Sequence, residues 1–278
     1  MSQFADYEGA SKNYDNGRRA AGVDVIAGLI QTMLKKDLKD VHVLDAGCGT
    51  GNYSVSLSKF GVRRISMIDA SNGMLSKAKE KIDAMNLSDS VDVKQAFLPK
   101  IPFADNTFDV VMINQVLHHL DKKHDGNNYP HILETFREVK RVLKPSGLLF
   151  ITSMVKEQLG GVWYYNLNQE FLRRYSLKFP SAPGFRKMLC DSQFEVMNYV
   201  SVLGHDIVPN YTNLEGPLHK SHRDSESYWD VASEQELKET LNRVRQMKEN
   251  GTLQDFYNKH DKTDVNGYFV IIASRNTA

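Results

Sequence analysis

The chain has 278 residues, 41% apolar and 25% charged, with 35 Lys+Arg against 34 Asp+Glu and a formal net charge of +1. Such a length buries a sizeable core, and so even a balance produces no long-range field for nucleic acid or an anionic membrane, so neither is a favoured partner. No run reaches the about 18 apolar residues of a membrane span, the N-terminus has no apolar leader, and Cys48 and Cys190 are too few for a disulfide framework. The expectation is a soluble, cytoplasmic protein with two free thiols.

In chain order, the patterning predicts a helix over 18–36, a strand over 41–46 and a helix near 52–60. A strand over 64–69, a helix over 72–86 and strands over 91–96 and 108–114 follow. Ile132, Leu133, Phe136, Val139, Val142 and Leu143 share one face of a helix over 130–143 that stops before "KPSG", and a strand covers 147–153. Continuously apolar strands alternating with amphipathic helices predict a parallel sheet covered on both faces. Beyond residue 153, "GGVWYYNLNQEFLRRYS" predicts an aromatic-rich helix, "FPSAPG" a turn and "GFRKMLCDSQ" a further helix. A strand over 194–203, a capping box at Ser233 and Glu236 with Gly251 as C-cap, and a last strand over 267–274 complete the chain. The expected fold class is α/β: a Rossmann-like, doubly wound, mostly parallel seven-stranded sheet with helices on both faces and added lid segments. One domain is expected over 1–278, with a helical cover (1–36), a cofactor-binding core (37–153), lid and substrate-side segments (154–266) and the last strand (267–278).

Behind the first strand, "VLDAGCGTGNY" places Asp45 at the strand end and Gly47, Gly49 and Gly51 at alternate positions. Glycine serves where φ is positive or where a ligand approaches the main chain. A dinucleotide-binding turn, G-x-G-x-x-G, would need glycine at 52, where Asn52 stands, and the Gly-Lys-Ser/Thr of a P-loop is absent. The bland alternative is a tight turn without a ligand. Asp69 closes the next strand at the carboxyl edge beside this turn, where a carboxylate accepts both hydroxyls of a ribose. It could instead cap the following helix, a task also open to Ser71 or Asn72.

With "VLDAGCGTG", "MIDASNGML", "IPFADNTFDVVMINQVLHHL" and "EVKRVLKPSGLLFIT" in this order and spacing, the chain resembles class I S-adenosylmethionine-dependent methyltransferases. In style it is nearest to the group that includes the ubiquinone/menaquinone-biosynthesis enzymes. The resemblance is strong over 41–153; at the ends only "KNYDNGR" and a single late strand carry it. It implies S-adenosyl-L-methionine as cofactor, with Asp45 and the amides around Gly47, Gly49 and Gly51 on its methionine and ribose side. Asp69 would bind the ribose hydroxyls, Ala70 and Met74 would pack on adenine, and Asn114 and Gln115 would lie beside the methionine end. Family members usually carry an acid after the third strand for the adenine amino group. Phe97 stands there instead, so adenine would be held by stacking and by the Leu98 amide. The resemblance also implies that the N-terminal segment folds over the cofactor, with Tyr14 near the transferred methyl and Arg18 near a carboxylate. The alternative is that both only cap and solvate the 18–36 helix.

Methyl transfer requires alignment, exclusion of water and, for some acceptors, removal of a proton. "QVLHHLD" puts His118 and His119 just past the fourth strand as candidate general bases, with a structural role as the alternative. Trp163, Tyr164 and Tyr165 offer ring faces for a cation or a planar acceptor, or else core packing. "LHKSHRD" (218–224) is either an acid-binding or a solvated loop. No ligand spacing recurs that would hold a metal, and arsenite chemistry would need more cysteines. The expected function is S-adenosylmethionine-dependent methyl transfer to a small molecule, with oxygen, nitrogen, sulfur or carbon as acceptor atom. Protein or tRNA methylation, or a catalytically silent S-adenosylmethionine-binding protein, are the alternatives; hydride transfer is disfavoured by Asn52.

Overall fold

The computed structural model describes residues 19–121, 128–203 and 211–277. Helices α1 (Val23–Leu34), α2 (Asn52–Ser58), α3 (Asn72–Ala84) and α4 (Pro130–Val142) alternate with strands β1 (His42–Ala46), β2 (Arg64–Asp69), β3 (Val91–Gln95), β4 (Phe108–Asn114) and β5 (Leu143–Ser153). Then come α5 (Gln169–Ser176), α6 (Ala182–Asp191), β6 (Phe194–Val202), α7 (Lys220–Asp224), α8 (Glu234–Glu249), α9 (Leu253–His260), α10 (Thr263–Asn266) and β7 (Phe269–Asn276). The strands form one sheet in the order β3-β2-β1-β4-β5-β7-β6. Pairings among β1 to β5 are parallel, and β7 runs antiparallel to both neighbours. Strand order reverses between β1 and β4, which opens a crevice at their carboxyl ends.

The period of two in the strands divides the core. Leu44, Val111, Ile113 and Ile151 face α4 through Ile132, Phe136 and Val139. Val43, Val110, Met112 and Phe150 face the opposite layer, where Ile26 and Ile30 of α1 and Ala78 of α3 meet them. A third, aromatic cluster, including Trp163, Tyr164, Tyr165, Phe171, Tyr228, Trp229 and Tyr268, holds the segments after β5.

Several local expectations change. The stretch expected to be one aromatic-rich helix is two 3₁₀ turns, Lys156–Gly161 and Trp163–Leu167, followed by α5. Asn168 divides it, because its side chain accepts from the amides of Glu170 and Phe171 and caps α5. Trp163, Tyr164 and Tyr165 are fully buried, so they pack the core rather than present open ring faces. "APG" starts α6 instead of making a turn, since Ser181 caps the helix by accepting from Gly184 N. The 218–224 loop holds α7, and its His222 is buried. β5 begins at Leu143, directly after α4, and its register against β4 shifts between Phe108 and Val110. The capping box at Ser233 and Glu236 is present. Cys48 is buried and Cys190 exposed. Among the described residues no helix is long and apolar enough to cross a membrane, and no group of three or more His, Cys, Asp or Glu could hold a metal ion.

At the amino end of β4, far from the crevice, the buried Asp109 carboxylate binds Lys36 Nζ (2.8 Å), Lys144 Nζ (2.8 Å) and the His42 amide (3.0 Å). Burial alone would push this carboxyl up, but those hydrogen bonds outweigh it and hold it below its usual range. Asp109→Ala should cost about 2–3 kcal/mol in urea unfolding at pH 7, because the His42 amide loses its acceptor. A depressed carboxyl stabilises fully above its unfolded value of about 3.9, and this is lost as pH falls through the lower folded value. Wild type and variant should therefore converge in acid.

Candidate functional site

The turn after β1 is built on three positive φ angles, +80° at Gly47, +53° at Gly49 and +80° at Gly51. The amides of Gly47 and Cys48 both donate to Ile68 O (2.8 and 2.9 Å), which ties the turn to β2. A Cβ on Gly47 would lie 2.4 Å from Val116 Cγ2. On Gly51 it would lie 2.8 Å from Met67 Cε, with Ala78 behind. Gly51 lines neither of the two cavities that Gly47 and Gly49 line: it faces inward and lets α2 pack close to β2 and α3.

Two cavities open at the crevice. The larger, of ≈ 700 Å³, is lined by Asp69, Ala70, Ser71, Met74, Leu98, Val116, His119 and Leu120. The second, of ≈ 560 Å³, is lined by Arg19, Asp45, Thr50, Tyr53, Tyr211 and Phe269. Gly47, Gly49, Asn114 and Gln115 belong to both, so the glycine turn and the end of β4 form the partition.

Two carboxylates flank the partition. Asp69 Oδ2 accepts from Gly49 N (2.8 Å) and its Oδ1 from Ser71 N (2.9 Å). Burial pushes its carboxyl up, and the Ser71, Gly49 and Ala70 amides oppose the shift. Capping of α3 falls to Ser71, whose hydroxyl accepts from Met74 N. Asp45 is buried, accepting from Ser54 Oγ (2.7 Å) and Asn114 Nδ2 (3.4 Å). Burial pushes its carboxyl up to about 6, Ser54 and Asn114 oppose that, and the Asp69 charge adds to it.

Between them, Asn114 Oδ1 and Gln115 Nε2 are buried with no hydrogen-bond partner among the described residues. Gln115 holds a φ of +58° while its amide donates to Thr152 O (2.8 Å). An orphaned buried polar atom costs about 1–3 kcal/mol, so such atoms at a cavity wall mark ligand-facing groups. The donor and acceptor set fits a cofactor carrying a ribose and an amino acid.

The two histidines part company. His119 lines the larger cavity. His118 turns inward, buried and stacked on Phe179 (4.8 Å between centroids, 20° between planes), and does not line either cavity. Phe97 is half-exposed and Leu98 lines the cavity. Tyr14 and Arg18 lie outside the described residues; Arg19 reaches the second cavity, and Ala21 N donates to the Tyr53 hydroxyl (3.3 Å). Tyr53, Tyr211 and Phe269 were not legible as site residues, because the latter two arrive from the lid and last strand without any local motif.

Residues 44–151 match a family model described as a methyltransferase domain. A sterol 4-C-methyltransferase of Caenorhabditis elegans is 30% identical over 118 residues, covering 42% of this chain and 32% of the relative. A demethylmenaquinone methyltransferase of Lactiplantibacillus plantarum is 34% identical over 122 residues, covering 43% of this chain and 48% of the relative. The chain thus spans about a third to about a half of the length of these curated relatives. Among solved structures, a protein of an antibiotic-biosynthesis pathway in Anabaena variabilis, described as a methyltransferase, superposes with a TM-score of 0.70 at 18% identity. It covers 92% of this chain and 98% of that one, and at such identity it speaks for the fold. The matched segment runs from β1 to β5 and contains the glycine turn, Asp45, Asp69 and the end of β4, so this part of the chain is similar to a methyltransferase domain.

Proposed function

We propose that this chain transfers a methyl group from S-adenosylmethionine to a small-molecule acceptor. The observation that carries this is the partition of the crevice, where Asp45 and Asp69 flank a positive-φ glycine turn beside the unpartnered Asn114 and Gln115 atoms. When bound, S-adenosylmethionine supplies an electrophilic methyl carbon. Asp69 holds the ribose hydroxyls, while Ala70, Met74 and Leu98 pack against adenine. Asp45, Asn114 and Gln115 face the methionine part, with Tyr14 and Arg18 proposed to close over it. His119 takes the proton from an acceptor that must lose one. A net charge of +1 favours a small molecule over nucleic acid.

Calorimetry tests the reading. S-adenosylhomocysteine should bind in the micromolar range, about −7 to −9 kcal/mol, and NAD should not bind. Asp69→Ala should cost roughly 2–4 kcal/mol of that affinity through two lost charge-assisted bonds. Tight NAD binding, or unchanged affinity in the variant, would sink the assignment.

Asp45 adds a pH dependence. Its carboxyl is protonated below about 6 in the free protein, whereas a cationic amino group favours the ionised form. Affinity should therefore fall as pH is lowered through about 6, by up to about tenfold per unit. Asp45→Asn should flatten that limb between pH 5 and 7.5; an unchanged slope would remove Asp45 from the methionine side.

A further inference from the structure

Residues 115–121 run as a strap along one wall of the larger cavity. Gln115, Val116, His119 and Leu120 line it, while Leu117 enters the core and His118 stacks on Phe179. At its near end the strap is pinned by the Gln115 amide on Thr152 O. Its far end is pinned by Asp121, whose side chain is 2% exposed. Asp121 Oδ1 accepts from His131 N (3.1 Å) and lies 2.7 Å from His131 Nδ1, and Oδ2 accepts from Ile132 N (3.3 Å). These groups open α4, whose own N-cap residue, Tyr129, contributes no side-chain bond. A carboxylate distant in sequence thus takes the capping place, and the α4 dipole favours its charge.

Capping alone does not require the acid to stand two residues after the cavity wall. The 3₁₀ turn Leu117–His119 is closed by backbone hydrogen bonds from His119 N to Val116 O (2.9 Å) and from Leu120 N to Leu117 O (3.1 Å). So short a turn does not hold its own shape, and its two ends must be held from outside. We propose that Asp121 is a positioning residue: its attachment to α4 sets the wall made by His119 and Leu120, and through that wall the affinity for cofactor. The proposal rests on the reading above that this cavity holds the cofactor.

Asp121→Asn keeps an acceptor for His131 but sets an amide donor against Ile132 N. It should weaken S-adenosylhomocysteine binding about five- to thirtyfold at a temperature where the protein is fully folded. In a His119→Ala/Leu120→Ala background, the same substitution should change affinity by less than about twofold, since the residues it positions are gone. His131→Ala, which keeps both backbone bonds, should give an intermediate loss and supplies the measurement if Asp121→Asn does not fold. By hydrogen exchange, the amides of His119 and Leu120 should exchange faster in the Asp121 variant while β1 and β4 stay protected. A lowered melting temperature with unchanged affinity, or equal losses in both backgrounds, would reduce Asp121 to a helix cap. If the wild-type protein does not bind S-adenosylhomocysteine, the cofactor reading fails by itself. The exchange pattern then decides whether the strap depends on Asp121, and unchanged exchange overturns the proposal.

Discussion

His119→Ala should slow methyl transfer by about a hundredfold to ten-thousandfold, with affinity for S-adenosylhomocysteine kept within about tenfold. The imidazole lines the cavity that Asp69 and Ala70 also line, and among the described residues it is the one ionisable ring there. A general base must be neutral, so the wild-type rate at saturating cofactor should fall on the acid side, and the alanine variant should lose that limb. Saturating cofactor keeps the titration of Asp45 out of the measurement. The effect should vanish for an acceptor that is already a carboxylate or a thiolate, which has no proton to give. His118→Ala should leave the rate intact and lower the melting temperature, because its ring is stacked on Phe179. Single-turnover assays across pH 6 to 9, with carboxylates, phenols, amines and thiols as acceptors, provide the readout. Full rate in His119→Ala at every pH would leave catalysis to proximity, and cofactor binding without any methylated acceptor would favour a silent binding protein.

Gly49→Val should abolish cofactor binding and leave the fold largely in place. Gly49 holds a φ of +53°, belongs to both cavities and donates its amide to Asp69. A β-branched residue is an outlier there, so the turn must shift, the Asp69 carboxylate loses its bond, and the new side chain fills the partition. Gly51→Ala should do the opposite: it should unfold the protein more easily, by about 2–4 kcal/mol, while folded molecules still bind. Its Cβ meets Met67 and Ala78, not the cavity. Circular dichroism melts with calorimetry on both variants separate the two effects. Normal binding by Gly49→Val would mean that the turn never meets the ligand.

Much of this was readable from neighbours in the chain. The alternation of β1 to β5 with α2, α3 and α4 follows from apolar periodicity, and the start of α8 from its capping box. The glycine turn stands out because a strand end and three alternate glycines are written in a few consecutive residues, and Asp69 because an acid closes the next apolar strand. Boundaries went astray where one side chain took over a backbone amide, as Asn168 does in dividing the expected aromatic helix and Ser181 in starting α6 early.

By itself, then, the sequence determined the α/β class, the crevice-forming turn and the two carboxylates beside it, since each depends on local period or local backbone chemistry. Only the tertiary structure decided which of two adjacent histidines meets the cavity and which glycine serves packing. It also decided that Tyr211 and Phe269 join the site and that Asp121 reaches α4. Those outcomes depend on which distant surfaces meet: Phe179 beneath His118, Met67 against Gly51, and β7 entering antiparallel between β5 and β6. Packing between segments far apart in the chain leaves no periodic trace in either one.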